Sequence, residues 1–142
     1  MTEPVNRISV LCVDDNQDVA RALRRKLSLV GGFDWRGWLP DAESLLGSVR
    51  QHCPAVVLLD IDMPGPDPFG VLAEITTQCP DTRVIVFSGH IRRDLIDRAL
   101  DSGAWAYVSK NDGDIALVDA IRRVTAGEFV LSPEAQAVLD RG

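Results

Sequence analysis

The sequence predicts a single α/β domain in which a five-stranded parallel sheet is covered by helices on both faces. Three observations point there. Short apolar runs without alternation recur at residues 10–13, 55–59, 84–87 and, more briefly, 107–108, each suited to a strand buried on both sides. Between them lie stretches with apolar residues at helical spacing. Strand followed by helix, repeated five times, requires right-handed crossovers and a parallel sheet. With 142 residues, 46% of them hydrophobic, the chain can build one such core and not two.

The elements follow in order. After the first strand Asn16 is placed to cap a helix whose apolar residues Val19, Ala20, Leu23, Leu27 and Val30 follow helical spacing, and Gly31-Gly32 stops it. Residues 33–39 form a second, weaker strand and residues 41–51 a second helix. His52-Cys53-Pro54 ends that helix and feeds strand three, and Gln78-Cys79-Pro80 ends the next and feeds strand four, proline halting the helix in both. Residues 91–102 place Ile91, Leu95, Ala99 and Leu100 on one side of a charged, amphipathic fourth helix. Residues 112–126 are the last long helix, with Ile115, Leu117, Val118, Ile121 and Val124 available for its inner face. Ser132 as N-cap and Pro133 at the first helical position start a short helix through about Asp140. The chain thus divides into a main domain of residues 1–126 and a carboxyl-terminal linker or short helix at 127–142.

Composition excludes several classes. Against 15 Lys and Arg stand 21 Asp and Glu, a formal charge of -6, which disfavours phosphate backbones and anionic membranes as direct partners. The longest apolar run is far short of the roughly 20 residues that cross a bilayer. The start, Met1-Thr2-Glu3-Pro4-Val5-Asn6-Arg7, lacks the basic and apolar segments of a secretory signal. Cys12, Cys53 and Cys79 fit neither a disulfide framework nor a paired-cysteine zinc site, and read as reduced core thiols in a cytoplasmic protein.

In such a sheet, ligands sit at the carboxyl ends of the strands. Asp14 and Asp15 follow strand one, Asp60 strand three, Ser88 strand four and Lys110 strand five. With strands one and three adjacent, three carboxylates converge, and their repulsion calls for a cation. Mg²⁺ suits it, because it takes carboxylate oxygens, water and phosphate oxygens together. Lys110 supplies a point charge for phosphate, Ser88 a hydroxyl donor, and an aspartate can serve as nucleophile toward phosphorus. Taken singly these residues have plainer readings: helix-start acids favoured by the dipole, a turn serine, a solvated lysine.

Four motifs, Val13-Asp14-Asp15-Asn16, Asp60-Ile61-Asp62-Met63-Pro64-Gly65, Val86-Phe87-Ser88-Gly89 and Tyr107-Val108-Ser109-Lys110, resemble the receiver domain of two-component response regulators over about residues 7–126. The resemblance implies the flavodoxin-like (βα)5 fold, doubly wound, with strand order 2-1-3-4-5. It implies Asp60 as phosphoacceptor, Asp15 and Asp60 on Mg²⁺ directly, Asp14 through water, and the backbone carbonyl of Asp62 as a further oxygen. Ser88 and Lys110 would bind phosphoryl oxygens, and Tyr107 would change rotamer with Ser88. The readout surface would be the fourth helix, fifth strand and fifth helix, about residues 91–126. The implied partners are a sensor histidine kinase or phosphotransfer protein, and a second copy in a homodimer; catalysis would extend only to the protein's own modification.

The sequence departs from the family pattern in places. The loop Gly65-Pro66-Asp67-Pro68-Phe69-Gly70 is about two residues longer than usual. Asn111 stands where many receivers have a cis proline, and a trans bond is expected there because a non-proline cis bond costs roughly 2.5 to 4 kcal/mol. A non-proline at this position, and the stretch Gly127-Glu128-Phe129-Val130-Leu131-Ser132-Pro133, resemble the NarL/LuxR-type subfamily and its linker. No DNA-binding helix-turn-helix follows in the sequence, so a lone receiver and the input half of a longer regulator both remain open.

Asp62 and His90 flank the expected phosphoryl site, where side chains in this family tune hydrolysis; exposed loop residues are the plain alternative. His52 beside Cys53 is explained by a helix end better than by a metal pair. Trp35, Trp38 and Trp105 read as core or edge packing, with Trp105 near the output face. The rival function is an enzyme: Leu58-Leu59-Asp60-Ile61-Asp62 also resembles the Asp-x-Asp of haloacid dehalogenase-like phosphohydrolases, with Asp60 as nucleophile. The acid pair at Asp14-Asp15, the motif's place after the third strand, and the lack of room for a cap weigh against it. A degenerate receiver acting by docking alone is a third reading, disfavoured by the complete residue set.

Overall fold

A computed structural model describes residues 7–141; residues 1–6, which carry most of the start analysed for an export signal, and Gly142 lie outside the described residues. The strands are β1 (Ile8–Val13), β2 (Phe33–Leu39), β3 (Val56–Leu59), β4 (Arg83–Ser88), β5 (Ala106–Ser109) and β6 (Val130–Leu131). The helices are α1 (Gln17–Val30), α2 (Leu45–His52), α3 (Pro68–Gln78), α4 (Arg93–Asp101), α5 (Gly113–Thr125) and α6 (Pro133–Asp140), with a 3₁₀ turn at Lys110–Asp112. All strand pairs are parallel, in the order β2-β1-β3-β4-β5-β6. This is the expected doubly wound, flavodoxin-like arrangement, with one correction: the sheet has six strands and not five. Val130 N–H donates to the Trp105 carbonyl at 3.0 Å and Ser132 N–H to the Tyr107 carbonyl at 3.1 Å. A two-residue strand has no periodicity to detect, and the open edge of β5 creates it.

The sheet separates two cores. Val10, Cys12, Val56, Leu58 and Ile85 face α1 and α5, meeting Leu23, Leu27, Leu117 and Ile121. Leu11, Val13, Val57, Leu59 and Val86 face the other way, toward Val49 of α2, Leu72 and Ile75 of α3, Ile96 of α4 and Ala135 of α6. Consecutive strand residues thus serve opposite faces, which is why these runs are apolar throughout. Burying each such Leu, Ile or Val contributes about 1.5–3 kcal/mol.

Several expectations change at the level of single residues. Helix α2 starts at Leu45, because the Asp41 carboxylate accepts the Glu43 N–H at 2.9 Å and holds the preceding residues in a turn. In α4, Ile96 is fully buried while Leu95 is only partly so, placing the inner stripe one residue on. Ile115 lies outward, 83% exposed, and its neighbours Leu117 and Val118 fill the core. Only Cys12 is a core thiol, pushed up to about 12 by burial; Cys53 is exposed, at the end of α2 with φ 45°, and Cys79 is intermediate. The described residues contain no cis peptide bond, so Lys110–Asn111 is trans as expected. Among them, no helix is long and apolar enough to cross a membrane.

Loop closure ahead of β5 depends on Gly103, at φ +107°, where a Cβ would collide with the Thr76 side chain. Thr76 itself is held, its hydroxyl donating to the Leu72 and Ser102 carbonyls at 3.0 Å each. Gly103→Ala is therefore expected to destabilise the protein by at least about 2 kcal/mol, measured as a lower midpoint in urea unfolding at unchanged slope.

Candidate functional site

The carboxyl edge of the sheet gathers the polar residues that strands β1, β3, β4 and β5 deliver one after another. Beyond β1, Asp14 N–H donates to the Leu39 carbonyl at 3.0 Å, while the Asp14 carboxylate accepts the Asn16 N–H at 2.9 Å. Asn16 in turn caps α1, accepting the Asp18 N–H at 2.9 Å. Asp14 is buried and Asp15 exposed, as the turn between strand and helix points successive side chains apart. Beyond β3, Asp60 N–H donates to the Val13 carbonyl at 2.9 Å, which extends the β1–β3 ladder by one step and places Asp60 beside the acid pair. One oxygen from each of Asp14, Asp15 and Asp60 lies within 4.8 Å of the others.

Lys110 balances these charges. Its Nζ is 2.7 Å from Asp14 Oδ2 and 3.4 Å from Asp60 Oδ2, both carboxylates being almost wholly buried. Burial alone would lower the lysine pKa, but the hydrogen bond to Asp14 and the charges of Asp60 and Asp14 outweigh it and hold the pKa above its ordinary value. At Asp60 the balance falls the other way. Desolvation raises its pKa, and the hydrogen bond from Asp62 N–H at 3.0 Å and the charge of Lys110 offset only part of that rise.

The last two strands supply the neutral groups. Ser88, at the end of β4, is fully buried; its Oγ accepts the His90 N–H at 2.9 Å and donates weakly to the His90 carbonyl at 3.4 Å. The same carbonyl accepts the Tyr107 hydroxyl at 2.6 Å, so the single tyrosine is turned inward and fully buried. Burial pushes its phenol up to about 12, with the neighbouring Ser88 hydroxyl pulling the other way. Asp62 and His90 meet outside this pocket, with Oδ2 and Nδ1 3.2 Å apart and both side chains exposed. The Asp62 carboxylate is thus not part of the acidic cluster.

A match to the response regulator receiver domain family spans residues 10–122. The chain belongs to that family. Curated receiver-containing relatives include the response regulator GacA of Pseudomonas aeruginosa, 32% identical over 127 residues, covering 89% of this chain and 59% of the relative. The probable transcriptional regulatory protein NarL of Mycobacterium tuberculosis is 30% identical over 127 residues, with the same coverage. This chain therefore spans about three fifths of their length. Among solved structures, a LuxR-family two-component response regulator from Aurantimonas sp. SI85-9A1 superposes with a TM-score of 0.88 at 26% identity, covering 95% of this chain and 97% of that one. The receiver domain of the putative M. tuberculosis NarL gives 0.81 at 29% identity, covering 87% and 99%. These neighbours agree with the NarL/LuxR-type resemblance.

Not every group that shapes this receiver site was legible in the motifs. The Trp38 indole N–H donates to the Asp14 carbonyl at 2.7 Å. Behind Lys110, the Ser109 hydroxyl donates to Glu134 at 2.5 Å, Ser109 N–H to Ser132 Oγ at 3.0 Å, and Glu134 N–H to Asp112 Oδ2 at 2.9 Å. These contacts bind the start of α6 to the residues flanking the lysine, and nothing in the local sequence signals them.

The raised pKa of Asp60 carries a sign. Ionising it costs more in the folded than in the unfolded protein, so stability falls as pH rises from the ordinary carboxylate value of 3.8 through the higher folded value. Below 3.8 both states are protonated and the cost vanishes. In metal-free buffer Asp60→Asn is expected to raise the melting temperature at pH 7, by a gain that shrinks toward zero as the pH is lowered below 4. Calorimetry across that range tests it, and an equal gain at every pH would contradict it.

Proposed function

We propose that this receiver accepts a phosphoryl group on Asp60 from a phosphohistidine, carried by a sensor histidine kinase or a phosphotransfer protein, and relays the event through its α4–β5–α5 face. What supports this most is Asp60 itself: a buried carboxylate one step past β3, grouped with Asp14 and Asp15 and 3.4 Å from the Lys110 ammonium. The cluster offers only oxygen donors, which suits a hard cation such as Mg²⁺. Asp15 and Asp60 would hold it directly, Asp14 through water, and the Asp62 backbone carbonyl would add another oxygen. When bound, the cation offsets negative charge between acceptor and phosphoryl oxygens.

The chain's own residues divide the remaining work. An Asp60 oxygen forms the bond to phosphorus as the donor's P–N bond breaks, its electron pair leaving on the imidazole nitrogen. Lys110, anchored by Asp14, meets one phosphoryl oxygen with its positive charge. The Ser88 hydroxyl makes only a long hydrogen bond to the His90 carbonyl, 3.4 Å between oxygens, and is free to turn its proton toward a second phosphoryl oxygen. Because Ser88 and Tyr107 share the His90 peptide, moving one alters the support of the other, and the difference reaches α4. Such a switch requires two states within a few kcal/mol. The protein is a signalling component that catalyses only its own phosphorylation and dephosphorylation.

Incubation with a small phosphodonor and Mg²⁺ is expected to give one acid-stable, hydroxylamine-labile label per chain, absent from Asp60→Asn and after chelation with EDTA. Label persisting in Asp60→Asn would overturn the assignment, and sustained release of phosphate from monoesters would favour a haloacid dehalogenase-like hydrolase instead. Ser88→Ala is expected to retain measurable label yet lose the phosphorylation-dependent change in amide hydrogen exchange across α4 and β5.

A further inference from the structure

Strand β2 contains an irregularity that redirects a side chain. Val10 of β1 pairs with Trp35, but the next residue, Leu11, pairs with Gly37, so Arg36 is an extra residue with no partner on β1. Strict alternation from Phe33 and Trp35 would put Gly37 on the α1/α5 face and Trp38 on the opposite one. The bulge moves the pattern by one, returning Trp38 to the face of Phe33, Trp35 and its cross-strand partner Cys12. Gly37 takes φ +137°, a conformation that residues with a Cβ rarely adopt. The indole thereby reaches beyond the end of β1 and donates to the Asp14 carbonyl at 2.7 Å, across 24 positions of sequence.

That carbonyl belongs to the peptide joining Asp14 to Asp15. The Leu39 carbonyl already accepts Asp14 N–H at 3.0 Å, so β2 grips the acidic turn at two consecutive polar groups, once as acceptor and once as donor. Asp15 is exposed, and its direction is set by the backbone that carries it. We propose that Trp38, aimed by the bulge at Arg36–Gly37, is a positioning residue that fixes the Asp14–Asp15 peptide and so holds the Asp15 carboxylate toward a divalent cation. This rests on the metal-dependent reading of the site given above. Groups that orient ligands from behind are a recurrent part of metal sites, and the interaction lost here would be one hydrogen bond.

The test is a Mg²⁺ titration of the full chain followed by amide chemical shifts. Wild type is expected to saturate and Asp15→Asn to show no saturation; a wild type that does not saturate would remove the metal reading and the brace with it. Trp38→Phe keeps an aromatic ring on the same face but loses the N–H together with part of the indole's bulk, a loss of bulk that Trp35→Phe reproduces without removing the hydrogen bond to Asp14. Its Mg²⁺ affinity is expected to fall about three- to tenfold, while the extent of phosphodonor labelling at saturating Mg²⁺ stays at the wild-type level. Trp35→Phe, on the same face, is expected to keep wild-type affinity. With wild-type binding established, unchanged affinity in Trp38→Phe, or an equal loss in Trp35→Phe, would overturn the proposal. Should Trp38→Phe not fold, the double variant Trp35→Phe, Trp105→Phe leaves Trp38 as the sole tryptophan, excited selectively beyond the absorption of Tyr107. Its emission is expected to change with the midpoint seen in the amide shifts, and emission indifferent to Mg²⁺ would reject the brace.

Discussion

One ammonium group set between two buried carboxylates organises the carboxyl edge of this sheet. Asp14 and Asp60 have side chains only 2% and 5% exposed, and like charges so placed repel each other in a medium that screens poorly. Lys110 answers both from a distance of 96 and 50 sequence positions. It can do so because β4 alone separates β3 from β5, and its Nζ also lies over the Phe87 ring, 5.7 Å from the centroid. The compensation is incomplete, as the raised pKa of Asp60 records, and an incompletely balanced acidic pocket is the physical condition for a site that gains or loses charged groups.

The lysine is itself held from behind. Ser109, just before the 3₁₀ turn that carries Lys110, and Asp112, the last residue of that turn, hydrogen-bond to Glu134 at the start of α6, and β6 pairs with the outer edge of β5. Arg93 of α4 reaches the Leu139 carbonyl at 3.3 Å. Helix α6 is therefore packed where α4 and β5 meet, against the same strand that presents Tyr107 inward. The backbone hydrogen bond from Ser132 N–H to the Tyr107 carbonyl, at 3.1 Å, ties the start of α6 directly to that strand.

Much of this was readable from residues near one another. Asn16 capping α1, Pro54 and Pro80 closing helices, and the uninterrupted apolar runs of β1, β3 and β4 all reflect local preferences that tertiary packing only reinforces. The candidate site residues were legible for a related reason: a doubly wound sheet presents the residues at the ends of its strands on one rim, so Asp14, Asp15, Asp60, Ser88 and Lys110 could be gathered before any distance was known. Ile96 replacing Leu95 as the buried residue of α4 shows the limit, since a helix with apolar neighbours on adjacent positions can rotate by one residue and remain amphipathic.

By itself, then, the chain's sequence determined the alternation of elements, their approximate ends and which residues close each strand, because each depends on contacts within a turn of helix or a few residues of strand. Tertiary structure alone decided that β5 acquires a sixth strand, that Lys110 pairs with Asp14 more closely than with Asp60, and that a bulge at Arg36 brings Trp38 onto the Asp14 carbonyl. Those outcomes are set by register and by free hydrogen-bonding edges between segments far apart in the chain, where a shift of one residue reverses the face of every side chain that follows.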